Sequence, residues 1–536
     1  MTSVHPRCAA IVAIVAIAAL LTALLPQTRA VAAGPIWLPG VQADRPSVDP
    51  TYNDLRPVIA TDRNTYVLST RARPRLSVDE TDVYLSVGVR GHAPGSLTWT
   101  TRKISSHGPA YIIDPHGNVS LAVDPTTHRL FAVWRYTKSK SAGEAVVVRT
   151  SSDGGSTWSG PTDLATTGGA FPGSRPSVVA GGGTAYVAFT AGQSDVPTGS
   201  CDNRHGHSDI FVARYDGRGW SRGQNLTSCL TGARHPEFEA ATLTRDEDGR
   251  LYLIATTNND ELWYADNAGG AWTTPVRIVR NIGNSPPGAG DATQALAASK
   301  GVVYLAYTGA DGTYPNNYND IFLTSHASGR GWSVPLNVTR GADVHCQKYA
   351  PALVARAGRI GLAYIEGYSS RADCAYDTLR METGTPGSLT PARTTLAANA
   401  ECDHPGLAAD GDIFRLVADC GHAPSKVNTA LYYQEEFLDV VGPTMTSLHV
   451  PATTTASSVH LSWSAQDPTP GSGVAYYEAR VKEDGSAWQD VVPGGTRSKS
   501  LDYTKARAGH TYTFQVRARD RVNNWGGWVS ASTRAS

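Results

Sequence analysis

The sequence predicts an all-β protein in which a β-propeller is followed by a small β-sandwich. A Gly-rich turn that ends on tryptophan recurs along most of the chain, and a β-rich run precedes each copy. The composition agrees, because Gly (53) and Pro (32) are frequent and charged residues make up only 18%. Such a composition suits short strands joined by turns better than it suits helices.

The turn is best defined at residues 151–158, SSDGGSTW. Ser151 and Asp153 carry oxygens that can bond backbone amides of the turn, and Gly155 supplies a conformation that other residues avoid. Trp158 ends the turn with a large ring, which we expect to cover the rim of a sheet. Degenerate copies recur at intervals of about 50 to 60 residues. They end at Trp99, Trp220, Trp272 and Trp332, with Pro391 at the last position.

A second pattern precedes the turns and marks the start of each repeat. It occurs at residues 73–87, 118–134, 175–190, 235–256, 293–308, 350–365 and 404–418. Repeats of this length with about four short strands each are typical of propeller blades, which must stack in a ring to cover their faces. The sequence therefore predicts seven blades, with six as the alternative. The last repeat is one strand short, and residues 56–70 are predicted to supply the missing strand.

Residues 151–158 match the pattern Ser-x-Asp-x-Gly-x-Thr-Trp at every position. This motif resembles the Asp-box of the sialidase-like (BNR-repeat) β-propellers. The resemblance implies three arginines that clamp a carboxylate, a Tyr–Glu nucleophile pair and an Asp acid/base. The family's Arg-Ile-Pro is absent from the first blade, where Arg56 and Arg73 are the nearest candidates, and Arg-x-Pro recurs at Arg234. Tyr368 beside Glu366, and Tyr432 or Tyr433 beside Glu435, are the candidate Tyr–Glu pairs.

The pattern changes near residue 445. Residues 445–536 show alternating strands, with Trp463 in VHLSWSAQD and Tyr512 opening YTFQVRARD. These features resemble a fibronectin type III domain. In secreted proteins the resemblance implies a spacer or a weak carbohydrate adaptor, and the spacer is the favoured interpretation.

The amino terminus predicts export. Residues 8–25 form an apolar run, Pro26 breaks it, and AVAAG at residues 30–34 offers small residues for a signal peptidase. We therefore expect a signal peptide at residues 1–33, a propeller at 34–440 and a secreted protein. The alternative is an uncleaved membrane anchor, because 18 apolar residues are just long enough to span a bilayer.

Six cysteines remain after the signal peptide, and an oxidising compartment favours three disulfides. Six cysteines allow 15 pairings. Proximity in the sequence favours Cys201–Cys229, Cys346–Cys374 and Cys402–Cys420. By the repeat pattern all six lie on the propeller face opposite the Asp-box turns. None of their spacings resembles a zinc site. The spacing of His205, His207 and Asp209 could suit a metal, but a solvated loop is the preferred interpretation and no metal is expected.

The same face carries the longest loops, and long loops tied by disulfides suggest a binding face. Residues at the start of each first strand should line the mouth of the central channel, where cations would suit an acidic sugar. The predicted substrate-binding residues are Arg73, Arg175, Arg234, His235, Tyr349 and His404. The predicted catalytic residues are Glu237, Glu239, Glu366 and Tyr368.

The charge balance, with 47 Lys plus Arg and 47 Asp plus Glu, argues against nucleic acid or an acidic membrane as the partner. We expect a monomer that needs no cofactor and meets extracellular carbohydrate or protein. Two functions stay open. One is a secreted glycoside hydrolase, sialidase-like, or a lyase acting on acidic carbohydrate. The other is a non-catalytic propeller that binds glycan or protein through its disulfide-tied loops.

Overall fold

A computed structural model gives the architecture of the chain. It describes residues 36–37, 41–43, 57–72, 81–90, 97–105, 112–113, 119–137, 144–166, 176–192, 208–227, 230, 236–280, 282, 293–310, 319–340, 346–367, 377–392, 400–410, 413–422, 427–437, 441–454, 457–468, 473–493, 495–520 and 524–536. These residues form strands and turns with no α-helix. None of them belongs to a helix of the length and hydropathy needed to cross a membrane. Two compact units are distinguished: Trp37–Leu438, and a second that contains Asp439–Ser536.

The described part of the first unit consists of sheets of four or five strands that follow one another along the chain. Two short strands come first: β1 (Ile36–Trp37) and β2 (Val41–Gln42). The first sheet contains β3 (Val58–Thr61), β4 (Thr65–Ala72), β5 (Thr81–Arg90) and β6 (Leu97–Lys103). The second contains β7 (Ile112–Ile113), β8 (Val119–Val123), β9 (Leu130–Thr137), β10 (Glu144–Ser151) and β11 (Thr162–Thr166). The third contains β12 (Ser177–Gly181), β13 (Thr184–Gly192), β14 (Ser208–Tyr215) and β15 (Gln224–Asn225).

The next sheets repeat this plan. The fourth contains β16 (Phe238–Arg245), β17 (Leu251–Thr257), β18 (Glu261–Asp266) and β19 (Val276–Arg280). The fifth contains β20 (Gln294–Ser299), β21 (Val302–Gly309), β22 (Asp320–Ala327) and β23 (Leu336–Asn337). The sixth contains β24 (Gln347–Arg356), β25 (Arg359–Gly367), β26 (Thr378–Thr385) and β27 (Ser388–Ala392). The seventh contains β28 (Ala400–Asp410), β29 (Ile413–His422) and β30 (Val427–Phe437), to which β1 and β2 are added.

The innermost strands of neighbouring sheets touch in cyclic order. Contacts run from β3 to β8, β12, β16, β20, β24 and β28, and β28 in turn contacts β3. A sheet in such a circle packs on a neighbour through each face, so its middle strands are apolar throughout and do not alternate. The segment LYLIATT of β17 is buried at every residue. The first unit is therefore a β-propeller, and its core lies between adjacent sheets.

The closure differs from the sequence prediction. Residues 58–61 and 65–72, expected to complete the last blade, form the first two strands of the first sheet. The last sheet is completed by β2, where Val41 pairs with Tyr433, and by β1. The repeat start predicted at residues 73–87 is likewise wrong, because it begins after the second strand of the first sheet and includes most of the third. Arg73 therefore follows a second strand and does not precede a first one.

The second unit is a two-layer β-sandwich. One sheet has the order β31 (Thr444–His449), β33 (Val459–Gln466) and β36 (Ser500–Tyr503). The other has the order β32 (Thr453–Thr454), β38 (Val529–Ala535), β37 (Thr511–Asp520), β34 (Val474–Glu483) and β35 (Gln489–Asp490). Here burial alternates along the strands, since each sheet has one inner face and one outer face. Trp463, Tyr477, Tyr512 and Phe514 share the core.

Candidate functional site at the loop-side end of the propeller

Each sheet of the propeller has two ends. We call the end that carries the hairpins between first and second strands and between third and fourth strands the Asp-box end. We call the opposite end, where second strands lead to third strands and each sheet leads to the next, the loop-side end. The predicted site residues that the structure describes lie at or near the loop-side end, and the others cannot be placed. Arg73, Arg175, Arg234, His235 and Tyr368 lie outside the described residues, as do Cys201, Cys229 and Cys374.

The Asp-box turn at residues 151–158 is held by its own side chains. Ser151 Oγ accepts a hydrogen bond from the Gly155 amide at 2.9 Å, and Asp153 accepts from the Thr157 amide at 2.9 Å and the Thr157 hydroxyl at 2.6 Å. The bonds from Thr157 and from Ser151 hold the pKa of Asp153 well below its usual value. Gly155 has φ of 85°, and a Cβ there would lie 2.4 Å from Leu85.

Trp158 completes the turn. Its indole Nε1 donates to the Gly155 carbonyl oxygen at 3.2 Å, and the partly buried ring packs on the core between the first and second sheets. The side chains of Ser151, Asp153, Thr157 and Trp158 are thus occupied in holding the hairpin. The arrangement is structural and offers no chemistry.

At the loop-side end, Cys402 and Cys420 form a disulfide between the paired strands β28 and β29, with the two Cα atoms 4.1 Å apart. Cys346 is disulfide-bonded as well. The Cys402–Cys420 bridge packs in one core cluster with Tyr349 and Leu379 of the sixth sheet. It therefore anchors the strand ends that carry the residues described next.

His404 lies on β28, two residues beyond this disulfide. The pairing of β28 with β29 is interrupted by a bulge between Asp403 and Gly406, and His404 sits in it with a left-handed φ of 46°. The bulge turns the imidazole toward Asp419 of β29, so that Nδ1 lies 3.2 Å from the carboxylate, and the side chain is 14% exposed. A carboxylate on Nδ1 fixes the tautomer and stabilises the protonated ring, as required of a histidine that accepts and returns a proton.

Two further carboxylates, Glu401 and Asp403, lie on the same strand as His404. Glu401, Asp403 and Asp419 are all buried, on the loop-side ends of β28 and β29, and Asp403 lies directly opposite Asp419. Buried carboxylates are costly unless they are paired or hydrogen-bonded. Buried carboxylates beside a histidine are typical of binding and catalytic sites. We therefore take this part of the seventh sheet as the candidate functional site.

The neighbouring strands of the fifth and sixth sheets carry buried charges that are neutralised by protein groups. Lys348, 1% exposed, has its Nζ 3.7 Å from Asp320. Glu366 accepts a hydrogen bond from Arg380 Nε at 2.5 Å. Glu366, predicted as catalytic, is therefore already paired with a cation.

Three other predicted residues can be placed. The hydroxyl of Tyr349 donates to Asp377 at 2.7 Å and the residue is only 3% exposed, so its ring is part of the core. Glu237 accepts from the Asn258 side chain at 2.6 Å. Glu239 is exposed on β16.

The Tyr433–Glu435 pair suggested by the sialidase resemblance lies inside the seventh sheet. The Tyr433 hydroxyl donates to Glu435 at 2.7 Å, but the two residues are only 1% and 4% exposed. Burial raises the pKa of Tyr433 far above its usual value. The ring meets Trp99 edge to face at 5.3 Å, which makes this pair part of the core that closes the propeller.

The described residues offer one group with metal-ligand geometry, and it lies in the second unit: Glu483, Asp484 and His510, whose ligand atoms all lie within 4.8 Å of one another. Arg507 and the Thr511 amide already bind these carboxylates.

Asp209, a metal-ligand candidate in the sequence, instead accepts hydrogen bonds from Asn225 at 2.9 Å and Thr227 at 2.6 Å. Asp320, Asn337 and Thr339 repeat that arrangement in the fifth sheet.

A cavity of about 670 Å³ occupies the channel at the Asp-box end. Small apolar residues such as Ala297 and Ala355 line it, together with Arg245 and Arg356. The Arg245 guanidinium lies over Gly181, where a Cβ would be 1.7 Å from its Nη1. Sequence reasoning missed this cavity, since its lining comes from strand ends in six sheets.

Sequence reasoning also missed Asp419 and the Lys348–Asp320 pair. Asp419 stands beside Cys420 in the sequence, but its link to His404 depends on the bulge in β28, for which the sequence gives no signal. Lys348 stands next to Tyr349 in the sequence, which gives no sign of its partner. Its pairing with Asp320 joins two sheets and required the fold.

Comparisons with known proteins agree with this architecture. A family described as a BNR repeat-like domain matches residues 77–308, and the fibronectin type III domain matches residues 443–531. No curated protein matches the chain.

Solved structures with a similar fold have very low sequence identity to the chain. They include the polysaccharide lyase Uly1, with 12% identity, a TM-score of 0.44, and coverage of 74% of this chain and 98% of that chain. A Trypanosoma rangeli sialidase has 9% identity, a TM-score of 0.40 and coverage of 93% and 89%. A Penicillium chrysogenum α-L-arabinanase has 13% identity, a TM-score of 0.38 and coverage of 74% and 98%. The recognition made from the Asp-box and the Trp463 strand is thus confirmed: the chain contains a BNR-repeat-like domain followed by a fibronectin type III domain.

Proposed function

We propose that this chain is a secreted protein that binds acidic carbohydrate at the loop-side end of a seven-bladed propeller and transfers protons there through His404. Seven blades, one for each sheet, is the count favoured by the closed circle of first-strand contacts. The observation that carries the proposal is the His404–Asp419 pair at 3.2 Å. His404 lies on β28, the innermost strand of its sheet, two residues from the disulfide that ties β28 to β29, the strand of Asp419.

The position of cations in the sequence supports an acidic ligand. Arg175 precedes β12 in the sequence, and Arg234 and His235 precede β16. This is the sequence position from which these residues are predicted to line the channel mouth, as His404 is. Arginine binds a sugar carboxylate through two parallel N–H bonds and neutralises it. A uronic acid polymer offers such carboxylates.

The chemistry favours elimination over hydrolysis. A glycosidase needs two carboxyl groups on either side of the scissile bond. Glu366 and Asp320 lie against Arg380 and Lys348, and Asp419 lies against His404. A lyase needs one base to remove the proton next to the uronate carboxylate. The electrons then form a C=C bond as the glycosidic C–O bond breaks, and the departing oxygen receives a proton.

The reaction can be tested on the full chain with polygalacturonate, alginate and a sialoside. An unsaturated product is detected by ultraviolet absorbance, and hydrolysis by new reducing ends without that absorbance. We expect absorbance from a uronate polymer and no reaction with the sialoside. Reducing ends without unsaturation would contradict the elimination.

The matched variants are His404→Asn and His128→Asn. His128 also has a left-handed φ (58°) and lies 2.9 Å from a carboxylate, that of Asp62, but it belongs to the Asp-box end. Asparagine tolerates this backbone conformation. Loss of a general base lowers kcat/KM by roughly 100-fold or more. We expect that loss in His404→Asn, with His128→Asn close to wild type. Equal rates in both variants would exclude His404 as the base.

A second candidate is a non-catalytic propeller that binds acidic glycan. It is favoured by the pairing of Glu366 with Arg380 and of Glu237 with Asn258, which occupies two predicted catalytic groups. This function predicts binding of a uronate polymer with no product, and unchanged affinity in His404→Asn.

A further inference from the structure

The second unit carries a surface that the proposed function does not use. Strands β34 and β37 are adjacent, and their residues alternate between the core and the outer face. Tyr477, Ala479 and Val481 of β34, and Phe514, Val516 and Ala518 of β37, point inward and are buried. Their alternates therefore share the outer face of the sheet. These alternates are Tyr476, Glu478, Arg480 and Lys482 on β34, and Gln515, Arg517 and Arg519 on β37.

Cations and aromatic rings alternate across this face. The Arg480 guanidinium lies between Trp488, at 4.7 Å, and Trp528, at 4.1 Å. The Arg517 guanidinium lies between Trp528, at 4.5 Å, and Trp525, at 4.2 Å. The three tryptophans come from loops that flank the strands, and all three are partly exposed.

The series continues at both ends. The Arg519 guanidinium lies 5.3 Å from the Trp525 ring and 5.0 Å from the Tyr476 ring. The Arg497 guanidinium lies 5.1 Å from the same Tyr476 ring. Lys482 lies 5.0 Å from Trp488. We call the nine residues the cation–aromatic ladder: Lys482, Trp488, Arg480, Trp528, Arg517, Trp525, Arg519, Tyr476 and Arg497.

The charges of the ladder are not balanced by neighbouring acids. Arg517 donates to Glu478 at 2.6 Å, and Arg480 donates to the neutral amide oxygen of Gln515 at 2.7 Å. Among the described residues no carboxylate lies within ion-pair distance of Arg497, Arg519 or Lys482. The other acid near the face is Asp490, opposite Arg480 on the edge strand. Five cations thus face two carboxylates.

Stacking prepares the arginines to bind anions. A ring covers the flat face of a guanidinium and holds it in place, but leaves N–H groups along its edge for a planar anion. Because the side chains are already ordered, less conformational entropy is lost on binding. Partly exposed tryptophans beside them add apolar surface on which a sugar ring can lie.

We propose that the cation–aromatic ladder binds an anionic polysaccharide, with sulfate or carboxylate groups repeated along the chain lying against successive arginines. The charge excess selects an anionic partner, and the row of alternating rings and cations suits an extended polymer better than a single small anion. This surface belongs to the fibronectin type III unit. It is therefore independent of His404 and of the propeller site.

The test uses the full chain and three immobilised polymers: dextran sulfate, polygalacturonate and neutral dextran. The double variant Arg517→Gln/Arg519→Gln removes two ladder cations. The matched control, Lys499→Gln/Lys505→Gln, removes two exposed cations of the same unit that take no part in the ladder. We expect the ladder variant to bind the anionic polymers at least tenfold more weakly and the control less than twofold more weakly.

Three results would overturn the proposal: equal binding of wild type to neutral dextran, equal losses in the two double variants, or no loss in either. Dextran sulfate and polygalacturonate distinguish sulfate from carboxylate as the preferred group. Arg519→Lys keeps the charge but loses the planar edge, and it should bind more weakly than wild type with an unchanged Tm. Because His404→Asn leaves the ladder intact, it should retain the anionic polymers whether or not it turns over a substrate.

Discussion

At the Asp-box end of the propeller, Asp153 and Asp124 accept hydrogen bonds from amides and hydroxyls of their turns. At the loop-side end, Asp320 and Glu366 lie against Lys348 and Arg380. Asp153 and Asp124 thus only shape the backbone of their turns, whereas Asp320 and Glu366 also meet cations. Asp320 combines the two roles, because it accepts hydrogen bonds from Asn337 and Thr339 as well. The cations beside these carboxylates, and not the turn bonds, distinguish the candidate site from the Asp-box turn.

Removing the Cys402–Cys420 disulfide should have the largest effect on stability. The bridge closes a loop of 18 residues in sequence separation, and loss of such a cross-link costs about 3 kcal/mol. We expect Cys402→Ser/Cys420→Ser to lower the unfolding midpoint in guanidinium accordingly, with little change at the Asp-box turns. An unchanged midpoint would mean that the loop-side end is held by packing alone.

A methyl group at Gly155 should damage the Asp-box end nearly as much. Its Cβ would lie 2.4 Å from Leu85, and the backbone has φ of 85°. Together these should cost about 2 kcal/mol. Gly160→Ala is the control, because a Cβ there meets nothing within 4 Å. Thermal unfolding should show a lower Tm for Gly155→Ala only. Similar Tm values in the two variants would contradict the described turn.

Acid should weaken the Asp-box end through Asp153. The pKa of the Asp153 carboxyl in the folded state lies below its unfolded value of about 3.9. The hydrogen bonds of the carboxylate therefore stabilise the fold above the unfolded pKa, and this stabilisation is lost as the pH falls through the folded-state pKa. Asp153→Asn should lower Tm at neutral pH, and its difference from wild type should narrow with acidification below about pH 4. A constant difference down to pH 2 would show that the charge is not responsible.

The smallest effect is expected for Glu382, which accepts a hydrogen bond from Tyr364 at 3.1 Å within the sixth sheet. Burial raises the pKa of Glu382 above its usual value, so the charged form destabilises the fold above the folded-state pKa. Glu382→Gln keeps an acceptor and removes the charge. Its Tm at neutral pH should equal or slightly exceed that of wild type, whereas Glu366→Gln, which leaves Arg380 without an anion, should lower it. A fall in Tm of similar size in Glu382→Gln and Glu366→Gln would contradict the expectation that only the Glu366 charge stabilises the fold.

The sequence predicted the features that depend on neighbouring residues or on regular repetition. The turn at 151–158 carries its own hydrogen-bonding groups, and the Cys402–Cys420 pair lies in one hairpin. Closure was predicted wrongly because β1 and β2 have two residues each, too few to show a pattern. The first strand of the first sheet, VIAT, is nearly as short. The sequence pattern therefore placed the start of the first repeat too late in the chain, and Arg73 was wrongly assigned to the start of a first strand.

The candidate site shows the same limit. His404 was found from its position at the start of a first strand. Its partner Asp419 follows from the register of β28 and β29, which a bulge shifts between Asp403 and Gly406. A bulge changes the pairing by one residue without a fixed sequence signature, so cross-strand partners on either side of it cannot be read from periodicity.

The short strand β2, paired with β30 through Val41 and Gln42, has a consequence for protein handling. Removal of the chain up to and including Gln42 would leave β30 without β2 as its neighbour. Its unpaired backbone amides and carbonyls could then form hydrogen bonds with a strand of another molecule. Preparations clipped there should exchange strands or precipitate, so proteolytic damage to a few early residues would be seen as aggregation of the whole protein.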